Sequence, residues 1–99
     1  MKESLQKQLF LRFPDIFSGR KKSVQESAMP FGIGCGDGWF QIIWDLSVEI
    51  ERYSKEKDID IAATQVKEKM GSLRFYTNLD SDDHVYELIE KAANSKKHT

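Results

Sequence analysis

The sequence predicts a small α+β domain, an antiparallel sheet made of one short strand and a β-hairpin and covered by three helices. Three observations predict it. Apolar residues repeat at helical spacing from Trp39 to Tyr53. Two alternating runs flank Gly71-Ser72, as in a hairpin. Gly32, Gly34, Gly36 and Gly38 alternate between a short apolar run and the central helix, where a tight strand-to-helix turn needs backbone freedom.

The elements follow in order along one domain, residues 1–99. Leu5, Leu9, Phe10 and Phe13 form one stripe of a first helix over residues 3–13, and Pro14 stops it. Residues 14–30 are polar, carry Arg20-Lys21-Lys22 and show no periodicity; they read as a long loop, either a solvated connector or a lid. Phe31 to Cys35 alternates large apolar residues with glycine and reads as a strand over residues 31–35. Asp37 is then placed to cap the helix of residues 38–56. Within that helix Trp39, Ile43, Leu46, Ile50 and Tyr53 face inward, while Gln41, Asp45, Glu49 and Arg52 face out. Residues 63–70 and 73–78 form the hairpin, with Gly71-Ser72 as a type II′ turn. Ser81-Asp82-Asp83 opens a last helix over residues 82–94, with Val85, Leu88, Ile89 and Ala92 as its inner stripe.

A turn at Gly71-Ser72 sets Met70 opposite Leu73, Lys69 opposite Arg74, Glu68 opposite Phe75 and Lys67 opposite Tyr76. One face then holds Val66, Glu68, Met70, Leu73, Phe75 and Thr77, so Glu68 sits awkwardly among core residues. It is either paired near the sheet edge or a functional carboxylate. The other face holds Gln65, Lys67, Lys69, Arg74, Tyr76 and Asn78. Three cations around an aromatic ring suit an anionic ligand. They equally suit a solvated face that protects the sheet from aggregation.

Composition narrows the function classes. Fifteen basic and sixteen acidic side chains leave a net charge of −1, which disfavours a broad nucleic-acid surface. Residues 1–30 carry six basic and three acidic residues and the remainder nine and thirteen, so a local anion site stays open. The single cysteine, Cys35, excludes an internal disulfide and suits a reducing compartment; it reads more readily as a buried apolar residue than as a reactive thiol. No apolar run approaches the length of a membrane span and no leader is recognisable.

No catalytic constellation and no metal set with Cys/His spacing is found, and no cofactor is expected. The glycine turn lacks the lysine and Ser/Thr of a phosphate loop, and Asp37 would repel an anion. Asp37 and Glu68 are the carboxylates available for a hydrolase, although nothing in the sequence joins them. Trp39 reads as core or as a surface for stacking a base. Trp44 and Phe40 read as an interface, with homo-oligomerisation through the central helix the natural expectation.

Two stretches, Cys35-Gly36-Asp37-Gly38-Trp39 and Val66 through Tyr76 (VKEKMGSLRFY), together with Phe13-Pro14 to Ile16-Phe17, resemble the signatures of a group of small phage and prophage proteins without an assigned enzymatic activity. The resemblance spans residues 9 to 92 or so. It implies a protein acting in the cytoplasm of an infected or lysogenic bacterial host. Longer members continue into a zinc-ribbon-like tail with paired cysteines, so a function housed there is not expected of this chain.

Two functions are therefore expected in order. The first is capture of a nucleotide-like anionic molecule of host defence signalling, with Arg74, Lys67, Lys69, Tyr76, Asp37, Trp39 and Glu68 as ligand-binding residues. The second is inhibition or bridging of a host protein through Trp44, Phe40 and the basic loop Arg20-Lys21-Lys22.

Overall fold

The computed structural model describes residues 1–21, 29, 32–79 and 81–95. The side chains of the basic triplet Arg20-Lys21-Lys22, and Phe31 of the expected first strand, lie outside the described residues.

Helix α1 (Glu3–Arg12) buries Leu9 and ends at Phe13, which leaves the helical region at φ −124°, ψ 63° ahead of Pro14. The next residues do not behave as a solvated connector. Ile16 and Phe17 are buried, and the Ile16 carbonyl accepts a 2.7 Å hydrogen bond from the Ala63 N–H. Phe17 stacks edge-on against Phe75, with centroids 6.5 Å apart, and tilts against Phe10 at 5.5 Å. Met29, at the far end of the segment, is also fully buried.

Strand β1 (Ile33–Gly34) is shorter than its alternating pattern suggested. Gln6 holds its entrance, accepting from the Ile33 N–H at 2.9 Å and donating to the Met1 carbonyl at 2.7 Å. Gly32 has φ +84°, and a Cβ there would fall 2.7 Å from the Gln6 Oε1. The positive φ favours glycine, and a Cβ would displace the Gln6 amide that holds the Ile33 N–H. Asp37 does not cap a helix by its side chain; residues Asp37–Trp39 form a 3-10 turn, and the Asp37 carboxylate accepts from the Lys2 N–H at 2.8 Å.

Helix α2 (Phe40–Lys57) buries Ile43, Leu46, Ser47 and Ile50 behind Trp39. It ends on Asp58 in the left-handed region, φ 53°, whose N–H returns to the Ser54 carbonyl. Strand β2 (Ala63–Lys69) then enters the sheet parallel to β1, pairing Ile33 with Val66 and Gly34 with Lys67. The fold class is α+β as expected, but the sheet is mixed rather than antiparallel. The reason is the intervening helix. A strand–helix–strand unit carries the chain back to the same end of the sheet, which makes the two strands parallel.

Strand β3 (Ser72–Thr77) completes the order β1-β2-β3. The hairpin turn is Met70-Gly71, not Gly71-Ser72; both residues have positive φ, +54° and +76°, the signature of a type I′ turn. The observed pairs are Lys69 with Ser72, Glu68 with Leu73, Lys67 with Arg74, Val66 with Phe75 and Gln65 with Tyr76. Moving the turn by one residue shifts the register by two. The division between the faces of Gln65 to Lys69 and of Leu73 to Tyr76 therefore survives, whereas a shift by one would have inverted it. What changes is who meets whom. The apolar pair Val66/Phe75 lies mid-sheet and is buried, while Glu68 moves toward the hairpin end and is exposed. Met70 leaves the core face altogether, at 93% exposure. An irregularity between Ala63 and Gln65 turns Ala63 back into the core.

Helix α3 (Asp83–Ser95) packs on α2 and runs alongside β3, burying Val85 and Ala93. Leu88, Ile89 and Ala92 of the expected stripe are only partly buried. Asp82 caps the helix, accepting from the Val85 N–H at 3.1 Å.

Candidate functional site

The sheet has a free edge. β3 is an outer strand, and α3 packs beside it. Between them lies a cavity of about 620 Å³, lined by every residue of β3 and by successive turns of α3 from Asp83 to Asn94. Leu73, Phe75 and Val85 lie at its floor but are buried, so its accessible apolar surface comes mainly from the half-buried Ile89 and from Tyr76 and Tyr86, 47% and 63% exposed. Arg74 contributes a cation from the strand, and Asp83 and Glu90 contribute carboxylates from the helix.

One end of the groove is fixed by a polar cluster. The Tyr53 hydroxyl of α2 donates to the Asp82 carboxylate at 3.1 and 3.3 Å, and the His84 ring lies over the Tyr53 ring, centroids 4.4 Å apart. The Val85 N–H, and then the Tyr53 hydroxyl, hold the Asp82 carboxyl below its ordinary pKa against partial desolvation. Burial, reinforced by the bond to Asp82, raises the Tyr53 hydroxyl above its ordinary value. These contacts tie the start of α3 to α2, and so set where the helical wall stands relative to β3.

The outward face of the sheet carries the expected cations. Gly34, Lys67 and Arg74 lie in one row across three strands, with Tyr76 next on β3 and Lys69 next on β2. Among the described residues, Lys67, Lys69 and Arg74 have no carboxylate within ion-pair distance. The other expected ligand-binding residues are not on this face. Trp39 is fully buried, so its ring is not available to stack a base. Asp37 is engaged by the Lys2 backbone and lies 3.8 Å from its ammonium. Glu68 accepts a 3.5 Å hydrogen bond from the Gly36 N–H, which brings it to the same end of the sheet as Asp37 and leaves it exposed rather than hidden in the core.

Trp44 is partly buried, edge-on to Phe13 at 5.2 Å and tilted against Phe40 at 5.8 Å. Cys35 is buried among apolar residues. Among the described residues no group of three His, Cys, Asp or Glu side chains is arranged to hold a metal, and no helix is long and apolar enough to cross a membrane. Sequence reasoning missed the helical wall of the groove. Its one signal was Tyr86, a large aromatic outside the inner stripe of α3. No family model, no curated protein and no solved structure matches the chain.

Proposed function

We propose that the protein is a binding module that takes an extended segment of a partner protein into the groove between β3 and α3. The observation that carries this reading is the coincidence of an outer strand with a cavity along its full length. An outer strand presents unpaired backbone donors and acceptors, and a peptide satisfies them by adding as a further strand. The six residues of β3 and the thirteen of α3 each span about 20 Å at the usual rises, room for about six residues of extended chain. Ile89 and the two tyrosines keep accessible apolar area, and tyrosine offers contact of the kind that protein interfaces favour. Given the resemblance of its signature stretches to small phage proteins, the partner we propose is a protein of the bacterial host.

The test is selection of random ten-residue peptides displayed on phage against the full chain, with counter-selection on Ile89→Lys, which sets a charge in the groove wall. Enriched peptides should shift the amide resonances of residues 72–77 and 83–94. No enrichment over the counter-selection, or shifts centred elsewhere, removes the reading.

A second reading is capture of a nucleotide-like anion, and one observation favours it: Lys67 and Arg74 face each other beside Tyr76 without a carboxylate partner among the described residues. Inorganic phosphate and a panel of cyclic and linear nucleotides should then raise the melting temperature, and Arg74→Ala should abolish the rise. A flat response discards this second reading.

A further inference from the structure

The row Gly34–Lys67–Arg74 contains a local contradiction. Directly opposed like charges destabilise a pair of strands, yet β2 and β3 set Lys67 against Arg74 near the middle of the hairpin. Gly34, at the β1 end of the row, contributes no side chain, and a Cβ there would lie 3.4 Å from the Cβ of Lys67. Broken local rules of this kind collect at functional sites. The row is closed by glycine on one side and open on the other, where β3 meets the groove.

A strand added at that edge extends the row by one residue, and the phase of the ladder says how. A two-residue turn closes on a hydrogen-bonded pair, here Lys69 and Ser72. Alternation then directs the backbone groups of Arg74 and Tyr76 to β2, and those of Leu73, Phe75 and Thr77 away from it. The far end of the hairpin agrees: the Asn78 N–H donates to the Ala62 carbonyl at 3.0 Å, while the Ala63 N–H, opposite Thr77, turns to Ile16. In an antiparallel addition, the incoming residue opposite Arg74 occupies a non-hydrogen-bonded site. Side chains approach most closely at such sites, with Cα atoms about 4.5 Å apart. It stands on the outward face, beside the guanidinium. Its neighbours point the other way, toward the α3 wall, where Ile89 is half-buried and Tyr86 exposed, with Leu73, Phe75 and Val85 buried behind.

Resting on the peptide-docking reading above, we infer that the bound segment has the pattern apolar–acidic–apolar, with a Glu or Asp opposite Arg74. Its carboxylate takes the guanidinium in a charge-assisted, bidentate hydrogen bond and relieves the opposition between Arg74 and Lys67. Asp83 and Glu90 on the helical wall repel acidic residues at the flanking positions, which fixes the acid to the outward one.

Charge reversal tests this. The same peptide library is panned on wild type and on Arg74→Glu, an exposed position, with melting temperature and circular dichroism confirming that the variant folds. Wild type should enrich Glu or Asp between apolar residues, and Arg74→Glu should enrich Lys or Arg at the same place. A synthetic peptide selected by wild type should lose about tenfold in affinity on changing its acid to lysine, and recover on the reversed variant. Peptides that bind wild type, fail on Ile89→Lys and show no charge preference overturn the inference while leaving the docking reading in place. Absence of groove-dependent peptides overturns both. So does a dimer in sedimentation that Ile89→Lys dissociates, because a second copy would then be the occupant.

Discussion

Met70→Asn should stabilise the protein, and the sign of its effect depends on the hairpin register. Met70 sits at φ +54° with its side chain 93% exposed. The left-handed region costs an ordinary L-residue on the order of 1–2 kcal/mol, and asparagine escapes part of that cost. So little of the thioether is buried that almost no packing is lost, and Asn-Gly is the preferred pair for a type I′ turn. The expected gain is about 0.5–1 kcal/mol, or a rise of about 3–6 °C in melting temperature for a domain of this size. Urea unfolding followed by circular dichroism reads it directly, as a higher midpoint at unchanged slope. Met70→Val is the control, since a β-branched residue at positive φ is strained and should cost about 1 kcal/mol or more. Were the turn at Gly71-Ser72, Met70 would be a strand residue opposite Leu73. Valine would then help there and asparagine would harm. Reversal of both signs refutes the register, and with it the placement of Arg74 opposite Lys67.

Three further perturbations test the rest of the fold. Phe17→Ala removes a fully buried ring from between Phe10 and Phe75; a loss of about 3–5 kcal/mol in chemical denaturation would show that the segment after α1 is core, and a loss under 1 kcal/mol would show that it is not. Ser47 is fully buried on α2 with its hydroxyl bonded back to the Ile43 carbonyl at 2.7 Å. Because that bond competes with the helix and alanine is the better helix former, Ser47→Ala should lie within about 0.5 kcal/mol of wild type, whereas Ser47→Leu overfills the site and should cost about 1–3 kcal/mol. Asp82 has a depressed folded pKa, so its contribution is full at neutral pH and is lost as pH falls through its folded value. The stability difference between wild type and Asp82→Asn should therefore shrink as the pH is lowered through the carboxylate range, and a difference that stays constant would contradict the assignment.

What the sequence revealed depended on how local the cause was. Helix α2 was legible because Ile43, Leu46 and Ile50 repeat with the helix's own period. The two hairpin faces were legible because alternation survives an error of one residue in placing the turn. The turn itself was not. Gly71-Ser72 is a good type II′ pair on local grounds, but the observed turn buries Val66 against Phe75 and frees Glu68 from the core, a tertiary preference that no dipeptide displays. Ile16 and Phe17 were hidden in a segment without periodicity because each enters the core from an irregular turn. The direction of β1 was a property of the crossover through α2, not of its own two residues.

The groove was the least legible feature, and the reason bears on what it is for. Outer strands are commonly protected by lysine, proline, a bulge or a covering element. β3 carries neither lysine nor proline, and the irregularity at Ala63 lies near the end of the hairpin away from the turn. α3 runs beside the strand and narrows the approach to it. The inward side chains of the strand, Leu73 and Phe75, are buried all the same. Here Tyr53, Asp82 and His84 tie the start of α3 to α2, and the helix passes alongside the strand with about 620 Å³ between them. An edge whose approach a helix narrows, yet bordered by open space, is suited to a single extended chain, and Arg74, unpaired among the described residues, is the group with which that chain would be read.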